Sequence, residues 1–179
     1  MELSGSKTEK NLMAAFGGES QARNKYTFYA DVARKNGYQQ IADIFEETAS
    51  NEKAHAKIWF KYLKGDIFSS TTECLLDAAR GEHYEWFEMY KEFAETAKEE
   101  GFDEISATMS MVADIEKSHE ERFLKLAENI KTEKVFEKEE ETEWLCRNCG
   151  RIHRGKKAPD ICPVCKHEKS YFEVKAENY

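Results

Sequence analysis

The sequence predicts an all-α, antiparallel four-helix bundle with one long crossover, followed by a small C-terminal β module built on a metal ion. Three observations carry that expectation. Glu-x-x-His occurs twice, as Glu52-Lys53-Ala54-His55 and as Glu116-Lys117-Ser118-His119, 64 residues later. Four long stretches place apolar residues at three-or-four spacing, the period of a helix face. Two Cys-x-x-Cys pairs, Cys146/Cys149 and Cys162/Cys165, close the chain.

The first helix opens on a capping box, Ser6-Lys7-Thr8-Glu9, in which serine and glutamate side chains satisfy the unpaired N–H groups of the first turn. Its stripe runs Leu12, Phe16, Glu19, Tyr26, Tyr29, Ala33 and stops at Asn36-Gly37. The second carries Ile41, Ile44, Phe45, Thr48, Glu52, His55, Trp59 and Tyr62, then breaks at Gly65-Asp66. Ser70-Thr71-Thr72-Glu73 is a second capping box, leading into Leu75, Ala78, Glu82, Glu85, Met89, Phe93 and Ala97, with a stop at Gly101. The fourth reads Ile105, Met109, Val112, Glu116, His119, Phe123 and Leu126. Short joints imply antiparallel neighbours, with a longer connection between the second and third helices.

Glu19, Glu52, His55, Glu82, Glu85, Glu116 and His119 all fall within these apolar stripes, whereas Glu46, Glu47, Glu99 and Glu100 fall on the solvated side. A carboxylate aimed inward is costly unless it is paired or binds a metal. Residues three apart on a helix are neighbours, about 5–6 Å between Cβ atoms, so each Glu-x-x-His can grip one ion. Two such pairs plus a glutamate from each of two further helices are the ligand set of a carboxylate-bridged two-metal site in a helix bundle.

An internal repeat supports the pattern. Gly37-Tyr38 through His55 resembles Gly101-Phe102 through His119 at an offset of 64, while Gly18-Glu19 matches Gly81-Glu82 at an offset of 63. Duplicated halves imply a pseudo-twofold site. Glu85 breaks that symmetry, because the matching place in the first helix is Gln21 or Ala22. The one-residue slip is expected to be absorbed by a π-bulge in the third helix or by its loop.

Charge divides the chain unevenly. Residues 1–130 carry 16 Lys/Arg against 25 Asp/Glu, and residues 144–179 carry 8 against 4. An acidic body excludes a nucleic-acid partner, which requires a basic face. No apolar run approaches the roughly 18–20 residues of a membrane span, and no export signal is readable at the N-terminus, so the expected location is the cytoplasm. Residues 131–143 are charged and nearly core-less, the composition of a linker or a frayed helix end. The expected division is therefore a bundle at 1–130, a charged linker at 131–143 and a cysteine module at 144–179.

In a chain without an export signal, paired Cys-x-x-Cys turns read as metal ligation rather than disulfides. Gly150 supplies the backbone freedom that closes the first turn. Some 36 residues cannot build a sufficient core, so the metal is expected to be required for folding. Trp144, Tyr171 and Phe172 are expected to pack beside it. Thiolates admit zinc or iron; beside a site that needs electrons, iron is favoured. The fifth cysteine, Cys74, reads as packing.

Gly18-Glu19-Ser20-Gln21-Ala22-Arg23-Asn24-Lys25-Tyr26, Glu52-x-x-His55, Gly81-Glu82-His83-Tyr84-Glu85, Glu116-x-x-His119-Glu120 and both cysteine segments resemble the motifs of the rubrerythrin family over nearly the whole chain. The resemblance implies a ferritin-like di-iron domain followed by a rubredoxin-like domain with one iron held by four cysteines. It implies reduction of hydrogen peroxide to water, with electrons from rubredoxin or an NAD(P)H-linked reductase, in oxidative-stress defence, by a homodimer or larger assembly. Glu52 and Glu116 resemble the bridging carboxylates, Glu19 a ligand of the first iron, and Glu82 and His119 ligands of the second. Glu85 and His55 resemble the pair that trade places on the first iron as its oxidation state changes, and Tyr26 and Tyr90 match tyrosines beside the irons. Two other readings are an iron-handling ferroxidase and a non-enzymatic bundle with a structural zinc ribbon.

Overall fold

The structure is a computed structural model and describes residues 2–65 and 69–178. The helices are α1 (Lys7–Lys35), α2 (Gln39–Lys64), α3 (Thr71–Tyr84), a π-helical segment (Glu85–Met89), α4 (Tyr90–Glu99) and α5 (Asp103–Lys131). Three strands follow, β1 (Glu137–Cys146), β2 (Ile152–Lys157) and β3 (Phe172–Val174). The expected third helix is thus α3, the π segment and α4 end to end. The chain divides into two compact units, residues 1–70 and 71–179. The expected longer joint between the second and third helices spans positions 65–70, and its centre, positions 66–68, lies outside the described residues.

The first unit is a helical hairpin. Its entry is a variant of the expected capping box: Ser6 Oγ accepts the Glu9 N–H at 3.0 Å, and Glu9 Oε2 accepts the N–H of Gly5, one residue before the cap, at 2.7 Å. The turn to α2 passes through Gly37 at φ +82°, a left-handed conformation that a side chain would strain. There the Tyr38 N–H donates to Ala33 O at 2.9 Å. The helices meet on small residues, with Ala30, Ala33 and Ala42 buried and Phe45 packed against them. Arg34 holds the hairpin from outside, 2.6 Å from Glu46 and 3.5 Å from Asp43.

The second unit repeats this design. Gly101 has φ +84°, and the Phe102 N–H donates to Ala97 O at 2.8 Å, each position 64 residues after its counterpart. Ala94 and Ala97 are buried, and Ser106 Oγ donates to Ala94 O at 2.7 Å. Several large residues of the expected stripes stay exposed. Ile44 and Tyr62 in the first unit, and Phe93, Ile105 and Leu126 in the second, are between 44% and 65% exposed. A hairpin of two helices closes only the side on which they touch, and alanines fill that side.

The three strands form one antiparallel sheet in the order β2-β1-β3, with Trp144 opposite both His153 and Val174. Its core is Trp144, Cys146, Ala158, Cys162 and Phe172, and the Trp144 indole donates to Gly155 O at 2.9 Å. Tyr171 is 43% exposed and meets His167 edge-on at 4.3 Å, so of the three expected packing aromatics it alone stays near the surface. The expected linker is corrected in part: Glu137–Glu143 belong to β1. Their acidity suits a basic partner strand, since Glu137 pairs with Lys157 at 2.7 Å and Glu143 with Arg154 at 2.6 Å and Lys175 at 3.1 Å.

Candidate metal centres

Three groups of metal-capable side chains come together among the described residues, and each draws its ligand atoms within 4.8 Å of one another. Two are helical triplets, Glu19/Glu52/His55 in the first unit and Glu82/Glu116/His119 in the second. The third is the four cysteines.

The triplets are copies in geometry as well as in sequence. His55 Nδ1 lies 2.9 Å from Glu52 and 3.8 Å from Glu19. His119 Nδ1 lies 2.7 Å from Glu116 and 3.8 Å from Glu82. An ion about 2.0–2.2 Å from nitrogen and oxygen ligands holds them about 3–4 Å apart; the 3.8 Å contacts lie in that range, and the 2.9 and 2.7 Å pairs are hydrogen bonds that would open slightly around a metal. Their glutamates are largely covered, Glu52 at 17% and Glu116 at 16% exposure, while His55 is 51% exposed and His119 35%.

Glu85 stands outside the close triplets, on the first residue of the π segment. Burial, and then the Glu116 charge, push its carboxyl above the usual range. Glu82 is raised likewise, by burial first and then by Glu116. Tyr90 lies against the same acids: burial, then Glu85 and Glu116, raise its phenol above the ordinary value. Tyr26 lies in an aromatic cluster instead, with ring centroids 6.3 Å from Tyr29 and 6.2 Å from Phe45.

The π segment resolves the slip in the repeat. Glu19 and Glu82 are 63 residues apart, whereas Tyr26 and Tyr90 are 64 apart, so the extra residue falls between 82 and 90, where the π segment lies. Of the two expected places for it, helix or loop, the helix is the one used.

The cysteine site has the dimensions of a tetrahedron. Cys146 Sγ is 3.7 Å from Cys165 Sγ, and Cys149 Sγ is 3.7 Å from Cys162 Sγ. Four sulfurs about 2.3 Å from one ion lie about 3.8 Å apart, so the residues fit the metal. Gly150, at φ +75°, closes the first turn as expected. Backbone N–H groups aim at the sulfurs: that of His167 draws the Cys165 thiol down to about 5, and those of Cys165 and Val164 lower Cys162. Cys149 is drawn down by the Arg151 N–H, but burial and the other thiols carry it up to about 12. Four thiols this close, without an ion, cannot all ionise, and a cation would release the protons.

Sequence reasoning missed a fourth cluster, His83, Trp86 and Glu120. The Trp86 indole donates to Glu120 Oε2 at 2.6 Å, and His83 Nδ1 lies 3.1 and 3.2 Å from the two Glu120 oxygens. In the sequence each residue directly follows a candidate ligand, Glu82, Glu85 or His119.

A fold of paired helices bearing Glu-x-x-His triplets, joined to a four-thiolate sheet module, defines a helical carboxylate metalloprotein with an attached thiolate metal centre. The rubrerythrin family model matches residues 10–127, and the model for the rubrerythrin rubredoxin-like domain matches residues 144–173. The chain is 50% identical to rubrerythrin of Porphyromonas gingivalis over 99% of its length and 94% of that protein's. It is 47% identical to rubrerythrin of Nitratidesulfovibrio vulgaris, covering 99% and 98%, and 34% identical to nigerythrin of the same organism, covering 92% and 85%. A solved structure of nigerythrin in a mixed-valence state aligns with 97% of this chain and 89% of that one, at 32% identity and a TM-score of 0.36. The chain belongs to the rubrerythrin family, and its fold class is a ferritin-like helical domain with a rubredoxin-like module. Its cofactors are those of the family, a di-iron carboxylate site and one iron held by four cysteine thiolates. Among the described residues, no helix is long and apolar enough to cross a membrane.

Proposed function

We propose that this protein reduces hydrogen peroxide to water as a cytoplasmic defence against oxidative stress, acting as a homodimer or larger assembly. Electrons from an NAD(P)H-linked reductase or a rubredoxin enter at the cysteine module, residues 144–179, and are used in the helical domain, residues 1–130. The observation that carries this reading is the presence on one chain of two matched Glu/Glu/His triplets and a four-sulfur site of tetrahedral size. Iron storage or ferroxidation would use the first and has no need of the second.

On this reading Glu19, Glu52, His55, Glu82, Glu85, Glu116 and His119 would hold the two irons, and Cys146, Cys149, Cys162 and Cys165 would hold the third. When bound, the iron pair supplies two electrons and Lewis acidity toward both peroxide oxygens. The chain's own residues supply binding and protons. The reaction, H2O2 + 2 e− + 2 H+ → 2 H2O, consumes two protons. Glu85 would hold one only when off the metal, where burial and then Glu116 raise its carboxyl above the usual range. Tyr90, its phenol raised by burial and by Glu85, retains its own proton and can donate a hydrogen bond toward the acids. His55, the more exposed of the two triplet imidazoles, would with Glu85 form the pair whose ligation depends on oxidation state.

The test is anaerobic stopped-flow of the reduced, iron-loaded protein against peroxide and oxygen side by side, with metal analysis. We expect about three irons per chain and reoxidation by peroxide far faster than by oxygen. Faster reoxidation by oxygen, with iron retained as a mineral, would support ferroxidation instead. Zinc in the cysteine site of active protein would remove the electron route.

A further inference from the structure

We propose that Glu120 is a positioning residue for Glu85: by accepting from Trp86 and His83 it clamps the π-helical segment to α5 and fixes where the Glu85 carboxylate stands. The inference rests on the di-iron reading and adds to it a residue outside the ligand set.

The clamp is compact. One Glu120 oxygen takes the Trp86 indole N–H at 2.6 Å, short enough for a strong charge-assisted bond. Both its oxygens lie within 3.2 Å of His83 Nδ1. The carboxylate is only 17% exposed, so loss of these donors would leave a largely covered charge unpaired. The aromatic rings brace one another: His83 stacks on Phe87 at 5.2 Å and meets Trp86 edge-on at 5.3 Å. Lys117 Nζ, from α5, sits 5.5 Å from the centre of the Trp86 ring. Neighbouring residues on a helix project about 100° apart, so the three clamp residues stand beside the ligand face rather than on it. π-helical segments are rare and occur mostly as single turns within α-helices, frequently at functional sites. Trp86 is the second residue of the π segment, immediately after Glu85.

The other half of the duplication serves as an internal control. The counterpart of His83 is Ser20 (83 − 63), and the counterpart of Glu120 is Ala56 (120 − 64). Lys53 matches Lys117 at 64. Neither counterpart can form the clamp: Ser20 donates to its own helix at Phe16 O, and Ala56 has no polar side chain. Ser20, Lys53 and Ala56 instead line an open groove of about 530 Å³. The half without the π turn lacks the clamp, and the half that places the extra glutamate has both.

The test uses the full chain and the variants Glu120→Ala, Glu120→Gln, Trp86→Phe, Glu85→Ala and the double variant Glu85→Ala/Glu120→Ala. The first measurement is hydrogen exchange of the zinc-loaded proteins, which needs no redox chemistry. We expect Glu120→Ala and Trp86→Phe to lower protection of residues 85–89 about tenfold and to leave α2 unchanged. The second is reoxidation of the iron-loaded, reduced proteins by peroxide. Glu120→Ala should be about tenfold slower with iron content retained, and the double variant no slower than Glu85→Ala alone, because coupled residues are not additive. Glu120→Gln, which keeps an acceptor oxygen for Trp86, should recover most of the rate. Unchanged protection at 85–89, or rate losses that multiply in the double variant, would overturn the clamp. Should Glu120→Ala fail to fold, Trp86→Phe decides by the same measures. If the wild-type protein took up no iron or ignored peroxide, the di-iron reading would fail, and the exchange experiment would still judge the clamp.

Discussion

Burial and mutual repulsion set the chemistry of Glu82 and Glu85 before any metal arrives. Both carboxyls are raised, first by burial and then by Glu116. A carboxyl raised by folding binds its proton more tightly in the folded chain than in the unfolded one. It therefore opposes folding once pH exceeds its unfolded value, and that cost disappears as pH falls back below it. In metal-free protein at pH 7, Glu82→Gln should raise the melting temperature of the helices. The gap from wild type should close toward about pH 4, where the wild-type carboxyl is also neutral. Circular dichroism melts across that range test this; a gap independent of pH would mean the effect is not electrostatic. The same substitution should weaken metal uptake, because the neutral amide is a poorer ligand. These residues were legible in the sequence because inward carboxylates at helical spacing have few other uses. The Glu120 clamp was not, because its members face one another only after α5 is laid beside the π segment.

At the scale of elements, each helical hairpin is set by small residues and one left-handed glycine. Ala42 is fully buried between α1 and α2 beside Ala30 and Ala33. Ala42→Leu should force the helices apart and cost about 1–3 kcal/mol, read as a lower midpoint in urea with the slope unchanged. Gly37 turns the chain at φ +82° with open space around its Cα, so Gly37→Ala should cost about 1 kcal/mol through backbone strain alone. The repeat offsets had located the extra residue of the third helix without saying what it does. Structure shows that it widens one turn, and Glu85 is the first residue of that turn. The acidic run at 137–143 misled in the opposite way. Its composition reads as solvated linker, yet basic residues of β2 and Lys175 pair with both of its ends, Glu137 and Glu143.

At the scale of the whole molecule, two kinds of stability coexist on one chain. The helices fold on alanine contacts and capped turns, whereas the sheet module has only five buried residues in its core, two of them cysteines. Metal binding by four thiolates supplies about 10–16 kcal/mol in small modules of this kind, more than such a core can. Cys162→Ser should therefore unfold the module within an otherwise folded chain. The expected signature is red-shifted Trp144 emission and loss of thiolate-to-iron absorption, with the helical signal at 222 nm nearly intact. A fully helical, blue-emitting variant would show that the sheet stands without its metal.

The sequence by itself determined the two Glu-x-x-His pairs, the duplication, the four helices and the clustering of the cysteines, because each is written in local spacing: three residues to stay on one helix face, two between paired cysteines, 63 or 64 between halves. Tertiary structure decided what depends on residues distant in the chain. It placed the extra residue as a π turn, recruited an acidic stretch into a strand by setting it against a basic one, and joined His83, Trp86 and Glu120 across two helices. Those outcomes arise from cross-element charge and hydrogen bonding, which no periodicity within a single element records.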